Sequence, residues 1–164
     1  MDDLSMFANS IFDIVVQPVS TCYVPNIIAV FSEVARILAP SGIYISQHKT
    51  PVSLQADLEG KRGGYVLREK YYQSNQTPLP PTAKSRLREE GTAEFLHRWE
   101  EIVGGMCRCG FVIEDLIEPN HARENASDGE FGHRCQFIAP YVRMKARRVS
   151  VESNGSGNSI WIPT

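Results

Sequence analysis

The hydrophobic pattern of the chain begins with an almost uninterrupted apolar run, Phe12–Val16, that is rich in β-branched residues. Such a run predicts a strand that is buried on both faces of a parallel sheet. Gln17 and Pro18 end the strand, because proline has no N–H group to donate to a neighbouring strand. Open α/β sheets bind ligands beyond the carboxyl ends of their strands, so the loop 17–23 is the first candidate for function.

The next segment, residues 27–38, has the period of an amphipathic helix. Its apolar face is formed by Ile27, Val30, Phe31, Val34 and Leu38. Asn26 is predicted to cap the first turn, and a second apolar strand follows at 42–46. The pattern therefore predicts a β-helix-β unit, whose two strands are parallel and joined by a right-handed crossover.

Residues 49–92 are polar and rich in glycine and proline, and they are interpreted as an insertion or lid over the strand ends. A strand or short hairpin is predicted within it at 65–73. The last segment, 149–164, is rich in serine, asparagine and glycine and predicts a flexible tail. One domain is therefore expected over residues 1–148.

A second amphipathic helix is predicted at 93–107, with His97 on its exposed flank. Two more strands are predicted at 111–117 and 137–146. The loop between these strands has no helical pattern, so they are expected to form an antiparallel pair. The predicted fold class is α/β, with two parallel strands, a final antiparallel pair, and helices on the faces of the sheet.

The composition excludes several functions. The chain has 164 residues, of which 42% are hydrophobic and 22% charged, as expected of one ordinary globular domain. The net charge of -2 provides no general attraction to nucleic acid or to an anionic membrane, and no apolar run is long enough for a membrane span. The first residues lack a secretory signal, so a cytoplasmic location is expected. The four cysteines have no metal-site spacing, and no metal site is predicted.

Two motifs resemble class I S-adenosylmethionine-dependent methyltransferases of the type 11-like group. Residues 10–16, SIFDIVV, resemble the S-F-D-x-V strand of that family, and residues 33–42, EVARILAPSG, resemble its E-x-x-R-V-L-K-P-G-G helix exit. The order of the predicted elements also matches the second half of the family's domain. The resemblance implies the carboxyl-terminal half of a Rossmann-like sheet, with S-adenosyl-L-methionine as the cofactor.

The glycine-rich cofactor loop of that family has no counterpart in this sequence. Glycines in that loop let backbone N–H groups approach the cofactor, and an acid after the second strand accepts hydrogen bonds from the ribose. Residues 1–4, MDDL, resemble the tail of a further family pattern, in which Gly-Asp is followed by Met or Ala and then by Leu. The resemblance implies that the chain begins just after the acid that contacts the adenine, so Met1 is expected to be an internal methionine of a longer protein. The chain is therefore expected to bind the cofactor weakly, and strand 12–16 is expected to have an open apolar edge.

The resemblance places the candidate site residues after the first two strands. Gln17, Pro18 and Val19 stand where the family's strand-end residues line the methyl-donor pocket, and Tyr23 is close enough along the loop to reach donor or acceptor. A plain loop, with Tyr23 packed on the next helix, is the alternative interpretation. His48 follows the second strand, and an ordinary histidine pKa of about 6.5 suits a base that removes a proton from the acceptor. A surface histidine is the alternative, because many methyl transfers need only alignment of the reactants.

Two functions remain open from the sequence. The first is methyl transfer from S-adenosylmethionine to a small-molecule acceptor, with the loop 17–23 binding the donor and the insertion shaping the acceptor pocket. The second is a non-catalytic interaction module that keeps half of a methyltransferase fold and self-associates through its exposed strand edge. Neither a nucleic-acid partner nor a membrane partner is expected.

Overall fold

A computed structural model describes residues 2–61, 63–74, 77–80 and 92–150 of the chain. Its strands are β1 (Phe12–Gln17), β2 (Leu38–Lys49), β3 (Phe111–Ile117) and β4 (Tyr141–Arg148). Its α-helices are α1 (Ile27–Ile37), α2 (Pro51–Gln55), α3 (Gly105–Arg108) and α4 (Phe131–Arg134). Two further helical turns are a 3₁₀ turn at Thr21–Tyr23 and a π-helical turn at Glu100–Gly104.

The four strands form one mixed sheet in the order β1-β2-β4-β3. β1 and β2 are parallel, with Val15 beside Tyr44, whereas β4 is antiparallel to both β2 and β3. The predicted fold class is therefore confirmed. Because β1 and β2 are parallel, their carboxyl ends, Gln17 and Lys49, lie at the same end of the sheet, which we call the carboxyl end.

Helix α1 begins at Ile27 as the sequence predicts, and it ends at Ile37, one residue earlier than predicted. The predicted cap is present, since the Asn26 side chain accepts a hydrogen bond from the Ala29 amide at 3.2 Å. β2 begins directly afterwards at Leu38, earlier than predicted, because Leu38 already pairs with Phe12 of β1. The helix therefore runs into the strand without a separate loop.

The main core lies between one face of the sheet and helices α1 and α3. Its largest buried side chains are Ile27, Phe31, Leu38, Tyr44, Ile102, Met106 and Met144. Burying each large apolar side chain stabilises the fold by roughly 1.5–3 kcal/mol, which is more than local helix propensity provides. Gly105 allows the two helices to approach, since a Cβ there would lie 2.5 Å from Cδ1 of Ile28.

The opposite face of the sheet, here called the open face, is not covered by any helix among the described residues. Ile14 and Val16 of β1 point to it and are 55% and 66% exposed. Lys145 of β4 lies on the same face beside Ile45. The prediction that β1 is buried on both faces is wrong for the described structure, because an apolar run has the same pattern whether one face or two are covered.

The helix predicted at 93–107 is wrong in its first half. Residues 92–98 are irregular, and the helical conformation starts only at Trp99. The reason is a tertiary hydrogen bond, because the Phe95 amide donates to the Cys22 carbonyl at 2.7 Å instead of to a carbonyl of its own segment. Segment 92–98 has an apolar period of 3.6 residues, which favours a helix, but its packing against the loop after β1 prevents the helix from forming.

Three smaller predictions also differ from the structure. The strand predicted at 65–73 is reduced to one bridge between Ala56 and Leu67. The last strand begins at Tyr141 rather than at 137, and the short helix α4 occupies the loop before it.

Residues 81–91 of the insertion and 151–164 of the tail lie outside the described residues, so the lid and the flexible tail stay predictions. Within the described ranges no helix has the length and apolarity to cross a membrane.

Candidate functional site

The side chain of Gln17 lies beneath the loop after β1 and is 8% exposed. The Gln17 amide oxygen accepts a hydrogen bond from the Tyr44 hydroxyl, and the amide nitrogen donates to Ser20 Oγ at 3.2 Å. The Ser20 hydroxyl in turn donates to the Pro18 carbonyl at 2.9 Å. The outer surface of the loop is therefore formed by Pro18, which is exposed, and by Val19, which is half-buried.

The inner side of the same loop packs on a second apolar cluster. Val19 and Tyr23 are half-buried against the four buried side chains of Cys22, Leu54, Leu79 and Leu96. Leu54 belongs to α2, and the segments that carry Leu79 and Leu96 lie on either side of residues 81–91. Tyr23 therefore contacts the insertion, and the loop and the insertion meet at the carboxyl end of the sheet.

His48 lies directly under the loop and is 1% exposed. Its Nδ1 is 2.9 Å from Thr21 Oγ1, and its Nε2 is 2.9 Å from Ser46 Oγ. Burial, reinforced by the nearby His97, lowers the pKa of His48 to about 3, so the ring is neutral at pH 7. The structure thus places this predicted base in the core, with both ring nitrogens engaged by neighbouring hydroxyl groups.

His97 holds the loop from the other side, and its predicted exposed position is wrong because it is 3% exposed. Its Nε2 lies 3.0 Å from the Thr21 carbonyl oxygen and 2.9 Å from the Val24 carbonyl oxygen. Both neighbours are acceptors, so Nε2 carries the proton and donates to them. Burial lowers the pKa of His97, and the two carbonyl contacts oppose that shift.

A buried ion pair joins the same segment to the end of β2. Lys49 Nζ contacts Glu94 Oε1, and the two side chains are only 12% and 3% exposed. The Glu94 carbonyl also accepts a hydrogen bond from the Leu79 amide at 2.6 Å. Segment 92–98 is therefore anchored to β2, to the insertion and to the loop after β1.

Residues 51–61, 63–69 and 119–140 form a cap beyond the carboxyl end of β2, and Arg134 connects its parts before and after residue 100. Arg134 is 3% exposed and donates to the carbonyl oxygens of Ser53 at 2.8 Å, Ala56 at 3.2 Å and Asp57 at 3.1 Å. Its guanidinium also lies over the Tyr65 ring, 5.8 Å from the centroid. A buried cation is stable only when its donors are satisfied, and these contacts satisfy them.

Sequence reasoning missed Thr21, Tyr44, Ser46 and His97 as members of this network. Tyr44, Ser46 and His48 alternate along one strand, so polar side chains on the core face of β2 were a usable signal. His97 offered no comparable signal, because it lies 76 residues after the carbonyl that it contacts. Among the described residues no group of three or more His, Cys, Asp or Glu side chains has the arrangement of a metal site.

Comparison with known proteins gives one curated relative and several solved structures. The chain is 36% identical over 121 residues to the uncharacterized methyltransferase YbaJ of Bacillus subtilis (strain 168). The match covers 72% of this chain and 47% of the relative, so the chain spans about half the length of the relative. No family model matches the sequence.

The solved structures agree in fold. A candidate S-adenosylmethionine-dependent methyltransferase from Listeria monocytogenes superimposes with a TM-score of 0.65 at 14% identity, over 91% of this chain and 66% of that protein. An S-adenosylmethionine-dependent methyltransferase from Mesorhizobium loti gives 0.61 at 17% identity, over 87% of this chain and 64% of that protein. The resemblance to class I methyltransferases and the Rossmann-like half-sheet are confirmed.

Proposed function

We propose that this chain is the carboxyl-terminal part of an S-adenosylmethionine-dependent methyltransferase that acts on a small-molecule acceptor. The observation that supports the proposal is the loop 17–23, which is fixed by buried hydrogen bonds at the carboxyl end of two parallel strands. That position is where open α/β sheets bind their ligands. The sequence match to a methyltransferase over 72% of the chain supports the same activity.

The loop fits one side of a cofactor site. Pro18 offers an exposed surface, Val19 a half-buried one, and Tyr23 an aromatic ring that can pack on an adenosine or an acceptor. No glycine-rich cofactor motif stands in the sequence, so the opposite side of the site must come from other residues. When bound, S-adenosylmethionine supplies an electrophilic methyl group on its sulfonium centre. The task of this loop is to orient the donor and to exclude water from it.

The burial of His48 favours a positioning role over the predicted role of base. A base must come within hydrogen-bond distance of the proton that it removes, and His48 is 1% exposed with hydroxyl groups at both nitrogens. Its contact with Thr21 instead fixes the 3₁₀ turn of the donor loop. In this proposal His48 stabilises the loop geometry, and alignment of donor and acceptor provides the catalysis.

The acceptor side is formed by the insertion and the cap. Leu54, Leu79 and Leu96 are buried against Val19 and Tyr23, so an apolar cluster joins the insertion to the donor loop. Arg134 joins the two parts of the cap, and the Lys49–Glu94 pair holds segment 92–98 against β2. The acceptor would therefore be enclosed between the donor loop and the insertion.

Ultraviolet photolabelling with tritiated S-adenosylmethionine tests the proposal on this chain. At millimolar ligand we expect label in the peptide that contains residues 17–23, because this loop would contact the donor, and we expect excess S-adenosylhomocysteine to remove it. Val19→Lys should reduce the label, because the lysine ammonium would repel the sulfonium cation of the donor. Val66→Lys, at a position that is 48% exposed in the insertion, is the matched control and should leave the label unchanged. Label that spreads evenly over surface peptides, or that S-adenosylhomocysteine does not displace, would contradict the donor site.

One observation favours a second candidate function, a non-catalytic module that self-associates through β1. β1 is a terminal strand of the sheet, and Ile11, Ile14 and Val16 on or beside it are 50%, 55% and 66% exposed. An open apolar strand edge can pair with another copy of itself. Light scattering should then show a dimer that Val16→Lys converts to a monomer, with Val112→Lys on the opposite terminal strand as control. A monomer for the unsubstituted chain at high protein concentration would exclude this candidate.

A further inference from the structure

The donor loop and the acceptor side are joined by buried polar contacts in addition to the apolar cluster of Cys22, Leu54, Leu79 and Leu96. Segment 92–98 crosses beneath the loop, and the Phe95 amide donates to the Cys22 carbonyl at 2.7 Å. Glu94, the residue before Phe95, forms the ion pair with Lys49 that fixes the same segment to β2. The position of this segment therefore constrains the loop after β1.

His97 is placed at the centre of this crossing. Its Nε2 donates to the Thr21 carbonyl at 3.0 Å and to the Val24 carbonyl at 2.9 Å, which flank the 3₁₀ turn Thr21–Tyr23. The Val24 amide also donates to the Thr21 carbonyl, at 3.3 Å. One ring nitrogen thus clamps both ends of the turn, and a shift of segment 92–98 by about 1 Å would lengthen both contacts beyond hydrogen-bond distance.

Thr21 is held from two opposite directions. Its side-chain oxygen is 2.9 Å from His48 Nδ1 on β2, and its carbonyl oxygen is 3.0 Å from His97 Nε2 on segment 92–98. Thr21 is itself 2% exposed, so neither contact competes with solvent. The sheet fixes the side chain of the turn, while the acceptor-side segment fixes its backbone.

The chemistry of His97 distinguishes it from a residue that only fills space. His97 Nδ1 is buried and has no hydrogen-bond partner among the described residues. An unpaired buried nitrogen destabilises a protein, and a leucine would occupy a similar volume without that penalty. The presence of a donor at this position is explained by the two carbonyl oxygens that it binds.

We propose that His97 is a positioning residue that couples segment 92–98 on the acceptor side to the donor loop 17–24, so that the two sides of the site become ordered together. This inference rests on the proposed function only in calling one side the donor side and the other the acceptor side. The coupling itself rests on the contacts of His97. A displacement of segment 92–98 would therefore, through His97, also displace the turn that faces the donor.

Amide hydrogen exchange of the full chain tests the coupling without any cofactor. His97→Leu removes the donor at similar volume, and the amides of Tyr23, Val24 and Phe95 should then exchange at least about tenfold faster, the effect of losing one typical hydrogen bond. His97→Gln places an amide nitrogen near the position of Nε2 and should restore exchange to within about threefold of the unsubstituted chain. Rescue by glutamine is the result that a purely structural role for the ring would not give.

Two further variants separate coupling from a general loss of stability. Met106→Ala removes a side chain of the main core that is 0% exposed, and it should raise exchange in the sheet and the loop together. Thr21→Val removes the contact to His48 and should raise exchange at Phe95, on the other side of the crossing. If His97→Leu raises exchange everywhere as Met106→Ala does, or if glutamine fails to rescue, the proposal is wrong.

If His97→Leu fails to fold, His97→Asn takes its place. Asparagine keeps a polar side chain, but that side chain is too short to reach both carbonyl oxygens. Local acceleration at residues 21–24 and 95 in this variant would support the coupling, and unchanged exchange there would overturn it. These outcomes are independent of the donor. Loss of donor binding with intact coupling would contradict the proposed function alone.

Discussion

S-adenosylhomocysteine is expected to bind this chain with a dissociation constant of about 1 mM or weaker. The described residues provide one side of the proposed site, the loop 17–23, and the sequence has no glycine-rich motif for the other side. A micromolar complex corresponds to about -8 kcal/mol, and half of that free energy corresponds to millimolar binding. The whole relative YbaJ should bind about a thousandfold more tightly than this chain if it provides both sides.

Isothermal titration calorimetry of three proteins measures this difference: this chain, whole YbaJ, and YbaJ cut to the 121 residues that match this chain. The cut relative is the matched control, and it should bind as weakly as this chain does. Micromolar binding by this chain would show that the loop 17–23 is not half of a site. An absence of binding by whole YbaJ would remove the support that the relative gives to the proposed function.

Acid is expected to destabilise the fold by at least about 2 kcal/mol between pH 7 and pH 5, because His48 is buried in its neutral form. Burial lowers its pKa from 6.5 to about 3. Below pH 6.5 the unfolded chain gains a proton that the folded chain does not bind, so the free energy of unfolding falls as the pH falls. The effect of this residue stops increasing near pH 3, where the folded chain is protonated as well. His97, whose pKa burial also lowers, adds to the loss in the same direction.

Urea unfolding at several pH values between 5 and 7 measures the effect, since carboxylates contribute little in this range. Glu33 and Glu114, with pKa values of about 2 in the folded chain, are ionised in the folded and unfolded states throughout it. His48→Gln should remove about 2 kcal/mol of the acid loss, while Thr21→Val, which keeps the titrating ring, should lower stability without flattening its pH dependence. An unchanged pH dependence in His48→Gln would refute the assignment of the acid sensitivity to this buried ring.

The β1-α1-β2 unit was predictable because its signals are local. The Asn26 cap, the apolar face of α1 and the end of β1 at Gln17 and Pro18 each depend on residues within a few positions of one another. The same signals carried the resemblance to methyltransferases. They also placed the loop 17–23 at the carboxyl end of the sheet, since parallel strands bring their carboxyl ends together.

The environment of the candidate residues was not predictable in the same way. His48 was expected to follow the second strand but lies within β2, and its burial depends on Phe31, whose ring is 5.8 Å away, and on the loop folded above it. His97 lies in a segment with helical periodicity, but that segment is irregular because the Phe95 amide donates a hydrogen bond to the donor loop. Both results depend on contacts between segments distant in sequence, which local propensity does not encode.

The sequence by itself determined the order of the elements, the capped helix α1, the parallel pair β1–β2, and the resemblance to methyltransferases. Those features depend on the spacing of apolar and turn-forming residues along short stretches. Only the tertiary structure decided that one face of β1 is exposed, that His48 is neutral and buried, and that His97 clamps the turn after β1. Burial and pKa are set by packing between segments up to 76 residues apart, and that packing exists only in the folded chain.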